Sequence, residues 1–60
     1  MNNTQIISVT NVDNKREVKV TVETIDDEVL VTFGSSYSIM LSQADASRLF
    51  GQIEYMAQPR

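Results

Sequence analysis

The chain has 60 residues and a formal net charge of −3 from eight acidic and five basic side chains, and 42% of its residues are hydrophobic. A chain this short forms one domain, residues 1–60, with a small core and marginal stability. It contains neither Cys nor His, which excludes a disulfide framework and Cys/His zinc sites and leaves oligomerisation as the means of enlarging the core.

The acidic balance weighs against a general nucleic-acid binder, which usually carries a basic excess. No apolar run approaches the roughly 18 residues of a membrane span, and the leading "MNNTQ" lacks the charged and apolar regions of a signal peptide. A soluble cytoplasmic protein without membrane contact is therefore expected, and the composition is too apolar for a disordered chain.

In chain order, "QIISVTNV" is the first strand candidate, with Ile7 and Val9 on one face. In "REVKVTVETI", from Arg16 to Ile25, Val18, Val20 and Val22 alternate with polar residues, the period of a strand with one buried face. "EVLVTF" then sets Val29, Val31 and Phe33 against Leu30 and Thr32, and "YSIML" sets Tyr37, Ile39 and Leu41 against Ser38 and Met40. Two-residue loops at Asp13-Asn14 and Asp26-Asp27, and a three-residue loop at Gly34 to Ser36, keep all these apolar faces in one register. Because a slip of one residue inverts a strand, this agreement tests the assignment.

"ETIDDEV" packs four carboxylates, Glu23, Asp26, Asp27 and Glu28, into seven positions. It lies between two alternating valine runs, where Asp tolerates the left-handed backbone of a tight hairpin and bonds to nearby amides, so it reads as a bend. The glycine and terminal glutamate of an EF-hand loop are absent, and no metal is expected.

After Leu41 the period changes. Ser42 followed by Asp45 forms a variant capping box, and Ala46, Leu49, Phe50, Ile53 and Ala57 recur at helical spacing, predicting a helix from Gln43 to Gln58 that stops before Pro59. Its apolar stripe is expected to lie as a lid on the valine face. The expected fold is α+β: a four-stranded antiparallel β-meander with one C-terminal α-helix packed on one face, ββββα.

Without His or Cys the usual neutral-pH base, the thiol nucleophile and the Ser-His-Asp arrangement are missing, and Gly34 and Gly51 form no phosphate loop. No catalytic residue, cofactor or enzymatic activity is expected. The sheet face opposite the valines carries Ile6, Ser8, Thr10, Lys19, Thr21, Glu23, Leu30, Thr32, Ser38 and Met40. Leu30 there sits between Glu23 and Met40 as a small apolar spot. Leu30, Met40, Thr32 and Thr21, together with Tyr55 on the helix, are the candidate partner-binding residues. An exposed Gly51 in mid-helix either is tolerated or marks a close backbone approach. The basic cluster Lys15, Arg16 and Lys19 is the candidate nucleic-acid contact, although Glu17 interrupts it and no aromatic platform accompanies it.

The stretch "YSIMLSQADASRLFGQI", residues 37 to 53, resembles the final strand and helix of the single-stranded-DNA binders of the positive-cofactor-four type. The resemblance implies a four-stranded meander followed by a helix, and dimerisation. Basic and aromatic surface residues are too sparse here to carry any of that family's binding residues over. The expected function is a small non-enzymatic protein-interaction module of the regulator or inhibitor type, for instance one encoded by a phage, acting as a homodimer on a protein partner. The alternative is a weak single-stranded nucleic-acid-binding protein.

Overall fold

The computed structural model describes residues 3–59. Four strands, β1 (Thr4–Thr10), β2 (Glu17–Ile25), β3 (Glu28–Phe33) and β4 (Tyr37–Ser42), precede one helix, α1 (Gln43–Ala57). The strands form a single antiparallel sheet in chain order, β1-β2-β3-β4, so the fold is the ββββα meander that the alternating pattern specifies. Val9 faces Val18, Ile7 faces Val20, Val22 faces Val31 and Val31 faces Ile39. Every apolar alternation therefore falls on one side of the sheet, here termed the inner face.

The first hairpin corrects the expected two-residue loop. Asn11 N donates to Arg16 O and Lys15 N donates to Asn11 O, each at 2.8 Å, which leaves Val12 to Lys15 as the loop. Asn11 Oδ1 accepts from Asp13 N and Asn14 Oδ1 from Arg16 N, both at 2.9 Å, and Lys15 takes a φ of 63°. These side-chain bonds to backbone amides supply the bend that a two-residue turn would otherwise provide. The loop widens by one residue on each side, so the register of Val9 with Val18 is unchanged.

At the second hairpin the turn is Asp26-Asp27, with Ile25 facing Glu28. Asp26 alone of the pair has a positive φ, 55°. The Asp27 carbonyl accepts from Gln43 N at 3.2 Å and so ties the start of α1 to this turn. The third loop opens on Gly34, whose φ is 63° and whose N–H still bonds Lys19 O at 2.8 Å. Glycine leads this loop because the chain must turn left-handed while it remains in the β2 ladder. Gly34→Ala meets no neighbouring atom, yet it should lower stability by about 1 kcal/mol through the left-handed backbone alone. Urea unfolding reads this as a lower midpoint at unchanged slope.

Ser42 caps α1: its backbone is extended and its Oγ accepts from Asp45 N at 3.1 Å. The reciprocal half of the capping box is replaced, because the Asp45 carboxylate accepts instead from Arg48 Nη2 at 2.9 Å, an exposed pair three residues apart. The helix ends at Gln58, whose extended φ and ψ of −66° and 137° suit a residue before proline. A Cβ added at Gly51 meets nothing within 4 Å, so the glycine is tolerated and no backbone of this chain approaches it. Gly51→Ala should raise stability by about 1 kcal/mol, seen as a higher thermal midpoint.

The core consists of Val29, Val31 and Ala46, with Val20, Val22 and Leu41 half-buried against them. Here the expected lid is only partly realised. The helix backbone approaches β3 and β4 but neither β1 nor β2, and Ala46 in its second turn is its one buried residue. Beyond Ala46 the helix is exposed to its end. The Cα radius of gyration is 12.7 Å, against about 10.4 Å for a compact domain of this length. Extents of 34 × 32 × 16 Å describe a slab, with the helix running on beside the sheet.

Candidate interaction surface

Two apolar surfaces lie open as a result. One is the part of the inner sheet face that α1 does not reach: Ile7 and Val9 on β1, Phe33 at the end of β3, and Tyr37 and Ile39 on β4 are all exposed. Phe33 and Tyr37 pair across the strands with ring centroids 6.1 Å apart and tilted by 38°, a rigid aromatic pair at the edge of the valine field. The other is the helix stripe, on which Leu49, Phe50 and Ile53 are 48%, 38% and 56% exposed.

The strand positions of the inner face carry no charged residue; the acids occupy the loops, the opposite face and the helix. Absence of charge and presence of aromatic rings are features enriched at the centres of protein contacts. Where the two surfaces meet, Leu41, Asp45, Arg48, Leu49 and Gln52 line an open groove of about 380 Å³.

The residues singled out from sequence lie elsewhere. Leu30 faces Met40 on one side and Glu23 on the other, and Thr21 faces Thr32, so four of the five form one patch on the outer face. Leu30, Thr21 and Thr32 are half-buried in the two central strands, while Met40 is exposed. Tyr55 is not part of that patch. It stands on α1 more than two turns past Ala46 and is 69% exposed.

Lys15 and Arg16 sit at the first hairpin and Lys19 on the outer face of β2 opposite Ser8, all exposed. The pair of Arg48 with Asp45 is the one ion pair among the described residues, so these three cations are free at one corner of the slab. The described residues hold no group of three or more acidic side chains placed to bind a metal ion. None of their helices is long and apolar enough to cross a membrane.

Sequence reasoning does not single out the inner face as a candidate surface, because it assigns these residues to the core. Their spacing marks them as residues that seek burial, and it does not say whether the cover comes from the same chain. One signal was present: the helix stripe has Ala at both ends, Ala46 and Ala57, and only three large apolar residues, Leu49, Phe50 and Ile53, to cover a four-stranded face. Comparison with known proteins brings no matching family model, no matching curated protein and no matching solved structure.

Proposed function

We propose that this chain is a small non-enzymatic protein-interaction module of the regulator or inhibitor type, which functions as a homodimer and binds through its apolar inner face. The observation that carries this reading is the core: among the described residues only Val29, Val31 and Ala46 are buried, while Ile7, Val9, Phe33, Tyr37 and Ile39 on the sheet and Leu49, Phe50 and Ile53 on the helix stand open, with no charge at the inner-face strand positions. With so little enclosed, a surface this apolar is stable in water only when something covers it. The outer patch of Leu30, Met40, Thr21 and Thr32 then stays available to a second protein. So does the edge of β1, whose sequence TQIISVT has neither a charge nor a proline to discourage strand addition.

Ile39 and Met40 are neighbours in β4 that point to opposite faces, which makes them a matched test. Sedimentation velocity of Ile39→Lys should show association lost, and Met40→Lys should keep it. A wild-type protein that stays monomeric would refute the homodimer, and one that also binds no apolar fluorescent dye would refute the inner face as an interaction surface.

A second reading, weak binding of single-stranded nucleic acid, draws on the three free cations Lys15, Arg16 and Lys19. Three phosphate contacts give an affinity that falls with salt with a slope of about −2 on logarithmic axes, and neutralising the cluster should remove that slope.

A further inference from the structure

We infer that the cover of the inner face is a second copy of this chain, and that the two copies exchange helices, α1 of each lying on the open inner sheet face of the other. This rests on the reading of that face as an interaction surface and names its partner.

The first argument is area. The chain exposes 5312 Å² for a mass of 6.8 kDa, whereas a folded monomer of that mass exposes about 3,950 Å². The excess of about 1,350 Å² per chain gives a pair about 2,700 Å² to bury, within the range of obligate dimers and well above that of transient contacts. Part of the exposed apolar area lies on the stripe of α1, at Leu49, Phe50 and Ile53, and on the inner face, at Ile7, Val9, Phe33, Tyr37 and Ile39, while Ile6, Val12, Tyr55 and Met56 expose more elsewhere.

The second argument is complementarity. The usual cover for one face of a sheet is an amphipathic helix, and the usual cover for a helix stripe is a sheet. This chain carries one of each, and neither is covered along most of its length. A two-fold pairing satisfies both at once, because every contact of helix on sheet is matched by its symmetry mate. An unrelated partner would have to bring both a helix-shaped and a sheet-shaped surface in the same arrangement; a second copy does so by construction.

The third argument is charge. A chain of net charge −3 can pair with itself at close range only where its acids are absent, and the strand positions of the inner face are free of them. On the helix Asp45 is already paired with Arg48, and Glu54, which has no ion pair among the described residues, flanks the stripe and has to stay at the solvated rim of the contact. The outer face, by contrast, carries Glu17, Glu23 and Glu28 against the single cation Lys19, so pairing two outer faces would bring an excess of like charge together.

The experiment uses the wild-type chain first. Sedimentation equilibrium from micromolar to millimolar protein should give twice the chain mass. In a mixture of isotope-labelled and unlabelled chains, intermolecular NOEs should join Leu49, Phe50 or Ile53 of one copy to Phe33, Tyr37 or Ile39 of the other. Two variants then test the exchange itself. Ile53→Asp on the helix and Ile39→Lys on the sheet should each weaken association about 100-fold or more, and an equimolar mixture should recover at least about 10-fold of that loss. The mixed dimer keeps one native helix-on-sheet contact and opposes Asp to Lys in the other.

A dimer whose intermolecular NOEs join only helix to helix, or only β1 to β1, overturns the exchange and leaves the interaction surface standing. A monomer at every concentration that binds apolar dye overturns the second copy as partner but not the surface. A monomer that binds no dye overturns both. Should either variant fail to fold, the wild-type NOEs decide.

Discussion

Ile53→Asp is expected to uncouple folding from concentration. In the wild-type protein the thermal midpoint should rise as protein concentration rises, because anything that binds only the folded chain stabilises it by mass action, and in the proposed dimer that binder is a second copy. Under the proposed helix exchange each contact would hold Ile53, 56% exposed in the single chain, on the stripe laid against the partner's sheet. A carboxylate there must be desolvated without a partner, at a cost of about 2–5 kcal/mol per contact. The association constant should fall by at least about 100-fold, and the midpoint should become lower and independent of concentration. Calorimetry or circular dichroism over a hundredfold concentration range reads both effects. A wild-type midpoint already independent of concentration would contradict the dimer while leaving the fold untouched.

Val31→Ala should be the most damaging conservative change within one chain. Val31 is 3% exposed, faces Val22 on one side and Ile39 on the other, and packs in the cluster with Val29 and Ala46. Removing its two methyls sacrifices their transfer free energy and leaves a void beneath α1, about 2 kcal/mol together. For a domain of this size that should lower the thermal midpoint by on the order of 10 °C. Thr32→Ala, one residue along on the outer face, should change it by no more than about 0.5 kcal/mol if that face is unoccupied. The contrast between two adjacent positions separates loss of core from general weakening of β3.

The strands, their order and their register were legible in the chain because each rests on local rules that agree with one another. Val18, Val20 and Val22 must share a face; Asp26-Asp27 and Gly34 must turn; the only register that joins these demands is the one observed. The helix was legible for the same reason, with Ser42 to start it and Pro59 to stop it. The four-residue loop at Val12 to Lys15 was not. Asn11 and Asn14 bond to the backbone inside it, and a symmetric widening of the loop leaves no trace in the flanking pattern.

By itself, then, the sequence determined the order and kind of the elements, which side of each is apolar, and that no Cys or His can hold the fold together. Only the tertiary structure decided where α1 goes after its second turn, and hence that Ala46 is buried while Leu49, Phe50 and Ile53 are not. The physical reason is that periodicity records a demand for burial, and the hydrophobic effect that meets it is non-directional. A valine stripe is served equally by its own helix or by another chain's. In this chain the cap at Ser42 and the bond of Gln43 to Asp27 fix where the helix starts, and from there it approaches β3 and β4 but neither β1 nor β2.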